Sequence, residues 1–210
     1  MSVSLEELAA ALNQGIEQLG LHLSTDKLLQ YLMLLHKWNH AYNLTAIRDM
    51  DLMVTRHVLD SLAVIPWVKG SRMLDVGSGA GLPGIPLALA LPELHVVLLD
   101  SNGKKVRFLQ EVKRALSLPN VEIVQSRVEN YHPSSGFDTV ISRAFSDISQ
   151  MIDWTRHLIA PQGIWLAMKG RRPDAELLTL HFPYRVETYS VVGLDSERCC
   201  VIVDNIPSPG

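Results

Sequence analysis

The chain has 210 residues, 47% of them hydrophobic and 20% charged, with a formal net charge of −3. That length holds one sizeable core with a small appended lobe, and a slightly acidic chain must use a local basic patch for any nucleic-acid contact. No apolar run approaches the ~18 to 20 residues of a membrane span, the opening "MSVSLEELAAAL" is acidic where a signal peptide is basic, and adjacent Cys199 and Cys200 imply no disulfide framework, so a cytoplasmic protein is expected.

Residues 4–19 read as a helix, with Ser4 and Glu7 spaced as a capping box and Leu5, Leu8, Leu12, Ile16 and Leu19 at helical intervals. A second helix is expected after Ser24, whose side chain can cap it, with Leu28, Leu32, Leu35 and Trp38 as its apolar stripe. A third is expected over residues 50–65, stopping before Pro66. Three helices without a strand predict an N-terminal helical lobe over residues 1–70.

From residue 72 the pattern changes to short apolar runs: "RMLDV", "HVVLLD", "VEIVQ", "FDTVIS" and "GIWLAMKG". Helical stretches at 83–91, 103–116 and 147–159 fall between them. Strands alternating with helices predict a parallel sheet covered on both faces. The final pair, "YRVETYSVV" and "RCCVIVD", is joined by only "GLDSE", too short for a crossover helix, and reads as a hairpin. The whole is an α/β, Rossmann-like, seven-stranded methyltransferase pattern over residues 71–210, behind the helical lobe.

The stretch "LDVGSGAGLPGIP" decides the cofactor class. A dinucleotide fingerprint reads G-x-G-x-x-G, but here the glycines fall at 77, 79 and 81 and Leu82 stands where the third should be. The turn suits a cofactor without a pyrophosphate, and S-adenosylmethionine is such a molecule. Gly77 and Gly79 permit close approach of its backbone-facing side. Asp75 can bond the cofactor ammonium directly or through water. Asp100 ends the second strand 23 residues beyond Gly77 and can accept bonds from ribose hydroxyls.

The segments "HKWNHAYNLTAIRD", "RHVLDSL", "DVGSGAGLPGIPLAL", "LLDSNGKKVRFL", "VQSRVE", "VISRAF" and "LAMKG" together resemble the glucose-inhibited division protein B family. The resemblance runs from about residue 30 to 205. It implies a bacterial methyltransferase that modifies the ring N7 of one guanine in 16S ribosomal RNA. It also implies cofactor contacts at Gly77, Leu82, Val128, Glu129 and Arg143.

The residues fit that chemistry. Methylation of an exocyclic amine uses an Asn/Asp-Pro-Pro-aromatic run after the fourth strand, where this chain has "SRAF". Methylation of a base carbon uses a nucleophilic cysteine, and Cys199 and Cys200 sit in a late strand as expected core thiols. Guanine N7 already carries a lone pair, so alignment replaces acid–base catalysis. No catalytic residue is expected beyond positioning groups, for which Arg143 and Lys169 are candidates.

Basic residues cluster at Lys104, Lys105, Arg107, Lys113 and Arg114 around a single acid, Glu111. With Arg127, Lys169, Arg171 and Arg172 they are read as an RNA-backbone footprint, the alternative being an ordinary solvated helix face. In "RHVLDS", Arg56, His57, Asp60 and Ser61 form either a polar network joining lobe to sheet or an RNA contact. Asn39, Tyr42 and Asn43 are read as helix-end caps in preference to a base entrance. His36 and His40 lack the Glu of a metalloprotease motif and read as surface residues, so no metal is expected. A monomer acting on 16S ribosomal RNA or the small subunit, away from membranes, is expected. The alternatives are a small-molecule methyltransferase on the same fold and a non-catalytic RNA-binding module that keeps the pocket.

Overall fold

The computed structural model describes residues 4–206, so residues 1–3 and 207–210, at the outer bounds of the expected lobe and domain, lie outside the described residues. Helix α1 (Leu5–Gln18) starts at the expected capping box, with Ser4 Oγ accepting from the Glu7 amide at 3.2 Å and Glu7 Oε2 accepting from the Ser4 amide at 2.8 Å. Helix α2 (Asp26–Tyr42) has Thr25 in the cap position without a side-chain bond, and Ser24 Oγ accepts from the Asp26 amide at 3.3 Å instead. It ends at Asn43 in the left-handed region, φ 48°. Asn39 then ties down the following turn, accepting from the Thr45 amide at 2.9 Å and donating to the Ile47 carbonyl at 3.0 Å.

The third expected helix is not one continuous α-helix. It divides into α3 (Met50–Met53), a π turn (Val54–Leu59) and α4 (Asp60–Leu62). A 3₁₀ turn (Ile65–Trp67) then carries the chain through Pro66, which sits in the first turn where a missing N–H costs nothing.

The rest alternates as expected: β1 (Arg72–Val76), α5 (Gly84–Ala90), β2 (His95–Asp100), α6 (Gly103–Leu116), β3 (Val121–Gln125) and β4 (Phe137–Ser142). There follow α7 (Ile148–Thr155), β5 (Ile159–Lys169), a short α8 (Asp174–Leu177), β6 (Tyr184–Tyr189) and β7 (Arg198–Asp204). Helix α7 is shorter than expected because the chain turns at Leu158, whose carbonyl accepts from the Phe137 amide at 2.8 Å, and Ile159 already pairs with Phe137. The sheet order is β3-β2-β1-β4-β5-β7-β6, parallel up to β5, with β7 antiparallel to both neighbours. The order reverses between β1 and β4, which opens a crevice at the carboxyl ends of those strands.

The helices before β1 share one core with a sheet face: Leu12, Leu28, Leu35 and Leu59 belong to the same cluster as Met73, Ile141 and Leu166. The opposite face packs Leu74, Val140 and Trp165 against Met151 and Ile152 of α7. Among the described residues no helix is long and apolar enough to cross a membrane.

Candidate functional site

A cavity of about 430 Å³ occupies the crevice, lined by Gly77, Asp100, Lys105, Arg127, Val128 and Glu129 and by Ala144, Phe145, Gln150 and Trp154. Gly77 and Gly79 hold left-handed backbone, φ 71° and 58°, which a side chain at either position would strain. The glycine turn and Asp100 form one unit. Asp100 is 6% exposed, its Oδ2 accepts from the Gly79 amide at 2.9 Å and its Oδ1 from the Asn102 amide at 2.8 Å. Each oxygen keeps a further lone pair for a ligand hydroxyl. Asp100→Ala is therefore expected to weaken binding of S-adenosylmethionine by about 1.5–3 kcal/mol in calorimetry, the scale of a hydrogen bond to a charged group. Unchanged affinity would place the ribose contact elsewhere.

Asp75, Gly79, Leu82 and Arg143 do not line this cavity. Leu82 is buried in the core shared with the lobe. Asp75 lies beneath the turn, 1% exposed, with Oδ2 accepting from the Gly84 amide at 2.9 Å and Oδ1 buried without a partner. Arg143 donates from Nη2 to the Arg56 carbonyl at 3.1 Å, and its Nη1 is also buried without a partner. Both unpartnered atoms are buried, outside the cavity lining.

"RHVLDS" resolves into the network that joins lobe to sheet. Asp60, 1% exposed, accepts from Arg198 Nε and Nη2 at 3.0 and 2.9 Å and from the Tyr189 hydroxyl at 3.1 Å. Arg143 Nη2 lies 3.4 Å from Asp60 Oδ2. The π turn that carries Arg56 and His57 is the kind of distortion found at functional sites. His57 Nε2 lies 2.9 Å from Thr45 Oγ1.

Burial pushes the Asp75 carboxyl up to about 7. Burial, with the Arg143 charge adding to it, pushes the His57 imidazole down to about 4. As pH falls from about 6.5 to about 4, the unfolded histidine takes up a proton that folded His57 refuses, which favours unfolding. Over the same window folded Asp75 keeps a proton that an unfolded carboxylate has released, which favours folding. The two effects oppose each other. Asp75→Asn removes only the second, so urea titrations at stepped pH are expected to show this variant losing stability on acidification more steeply than the parent. Parallel pH profiles would contradict the assignment.

Three of the basic candidates lie at or beside the cavity. Lys105 belongs to the cavity, its Nζ 3.8 Å from Asp100 Oδ2. Arg127 lines the rim. Lys169 is tied up within the protein: its side chain is 12% exposed and its ammonium donates to the Ser146 carbonyl at 3.0 Å and to Glu176 at 2.8 and 3.0 Å. Those bonds hold the loop that carries Phe145 and Ser146. Lys104 and Arg107 remain exposed on α6.

Sequence reasoning missed Gln150, Trp154 and Glu176. The first two recur at helical spacing directly after "SRAF", and that spacing was the available signal. Glu176 had none, since its partners lie across the β4–α7 loop: Oε2 accepts from the Ile148 amide at 2.8 Å. Cys199 and Cys200 are buried in β7, and burial pushes both thiols up. His36 and His40 face each other at 3.3 Å on α2.

The model of the family described as rRNA small subunit methyltransferase G matches residues 24–199. The chain belongs to the rRNA small subunit methyltransferase G family. Among its relatives, the "Ribosomal RNA small subunit methyltransferase G" of Legionella pneumophila subsp. pneumophila (strain Philadelphia 1) is 59% identical over 95% of this chain and 96% of that one. The protein of the same name from Pseudomonas aeruginosa (strain UCBPP-PA14) is 50% identical over 97% and 98%. Solved methyltransferases share the family's fold at low identity. A SAM dependent methyltransferase from Aquifex aeolicus aligns with TM-score 0.55 at 17% identity, over 70% of this chain and 90% of its own. A SAM-dependent O-methyltransferase from Thermotoga maritima aligns with TM-score 0.57 at 15% identity, over 83% and 73%. The family expected from the sequence motifs and the seven-stranded fold are both borne out.

Proposed function

We propose that this methyltransferase uses S-adenosylmethionine to methylate the ring N7 of a specific guanine in 16S ribosomal RNA. The carrying observation is the glycine turn bonded through Gly79 to Asp100 at the sheet's switch point, in a chain of an rRNA methyltransferase family. When bound, the cofactor supplies an electrophilic methyl group on a sulfonium. Asp100 accepts the ribose hydroxyls, Gly77 leaves room for close approach, and Val128 and Glu129 line the same cavity. Guanine N7 carries its own lone pair, so no residue needs to remove a proton. The protein's task is alignment and the exclusion of water.

The RNA partner is held by Lys104 and Arg107 on the exposed face of α6, with Arg127 and Lys105 at the cavity rim. Phosphate contacts of this kind carry affinity and position the substrate. The working form is a monomer in the cytoplasm. Mass mapping of 16S ribosomal RNA from cells with and without this protein tests the reading: one N7-methylguanine should disappear. Intact methylation in the deletion strain, with transfer to a small acceptor in vitro, would favour the small-molecule alternative.

A further inference from the structure

We propose that Phe145 and Trp154 form a stacking wall for the purine that receives the methyl group, suited to the charge this ring acquires. The inference rests on the guanine reading above. The cavity straddles the switch point, and its lining falls into two groups of different chemistry. The groups suited to the nucleoside end of the cofactor, Asp100 at the tip of β2 and Val128 after β3, lie on the β2–β3 side of β1. The rest of the lining comes from the residues after β4: Ala144, Phe145 and Ser146, then Gln150 and Trp154 on α7, a helix whose buried face also packs on Val128. A Cβ placed on Gly77 would come within 3.0 Å of the Ala144 Cβ, so Phe145 follows the residue that touches the glycine turn.

The Phe145 and Trp154 rings meet edge to face, centroids 5.7 Å apart at 79°. Trp154 remains 49% exposed, an unusual state for an indole beside a cavity. The Lys169–Glu176 pair holds the Phe145–Ser146 segment and the first amide of α7, which fixes the wall.

The reaction explains why this wall is aromatic. Guanine N7 gives its lone pair to the incoming methyl carbon, the carbon–sulfur electron pair leaves with the sulfur, and positive charge passes to the purine. None of the cavity-lining residues after β4 is acidic. Ring faces attract cations through their quadrupole and stack on any base. The wall therefore holds neutral guanine moderately and the methylated, cationic ring more strongly.

The test titrates the protein, saturated with S-adenosylhomocysteine, with 7-methylguanosine 5′-monophosphate and with guanosine 5′-monophosphate, by calorimetry and tryptophan emission. The methylated nucleotide should bind at least tenfold more tightly and perturb the emission. Trp154→Ala should abolish that preference, and Trp154→Phe should retain most of it. Single-turnover methylation of small subunits should fall at least tenfold in Trp154→Ala, with S-adenosylhomocysteine affinity kept within twofold. Equal binding of the two nucleotides by the parent protein would overturn the proposal. So would a parallel loss of S-adenosylhomocysteine affinity in Trp154→Ala, which would assign the wall to the cofactor's adenine. Failure of the guanine reading would appear separately, as ribosomal RNA without N7-methylguanine in cells that contain the parent protein.

Discussion

Gly77→Val is expected to abolish binding of S-adenosylmethionine, with at least a hundredfold loss of affinity in calorimetry. Three effects act together at this position. Its backbone is left-handed at φ 71°, where a β-branched residue is strained by about 1–2 kcal/mol. The new Cβ would press on Ala144 at 3.0 Å, and the two branched methyls extend further. Relief requires the turn to move, yet its Gly77 amide is bonded to the Leu99 carbonyl at 2.8 Å and its Gly79 amide to Asp100 at 2.9 Å. Any shift therefore also displaces Asp100, the carboxylate proposed to receive the ribose. Affinity within a few-fold of the parent would show that the ligand does not approach this turn.

Asp60→Ala is expected to give a large loss of stability. The carboxylate is 1% exposed and stands between the guanidinium groups of Arg143 and Arg198. Its removal leaves two guanidinium groups, each 22% exposed, without this counter-ion, a change that costs about 3 kcal/mol, the lower end of the range for buried pairs. In a chain of 210 residues this corresponds to a melting temperature lower by roughly 10 °C. Tyr189→Phe removes only one hydrogen bond to Asp60 and should cost about 1 kcal/mol. Urea unfolding of the two variants distinguishes a charge hub from a simple hydrogen-bond acceptor. If Asp60→Ala lay as close to the parent as Tyr189→Phe, the hub would not exist.

The strand and helix alternation was legible because each buried strand is a continuous apolar run bounded by polar turns, as in "HVVLLD". The glycine turn and its contact with Asp100 were legible for a different reason: their placement depends on local backbone conformation and a fixed offset, both written in the sequence itself. The π turn was not legible, since "VTRHVL" has ordinary helical periodicity and its distortion answers to partners far away in the chain. Lys169 shows the same limit. A lysine at the end of a strand reads as a solvated cation, and only the fold brings Glu176 and two carbonyls around its ammonium. Trp154 lay in the open, at helical spacing from Gln150, but composition alone gives an aromatic residue near a site no preference over one in the core.

The Asp60 network also bears on how the chain is made. Its carboxylate belongs to the first third of the sequence, while Arg198 lies 138 positions later and Tyr189 lies 129 positions later. During vectorial synthesis the lobe and the first five strands emerge before these partners exist, and the growing polypeptide carries an aspartate with no arginine from the final hairpin to receive it. The lobe's polar seam can close only when the last strand has left the exit tunnel. A nascent chain stalled before residue 198 therefore holds Asp60 without the arginine that pairs with it in the finished fold.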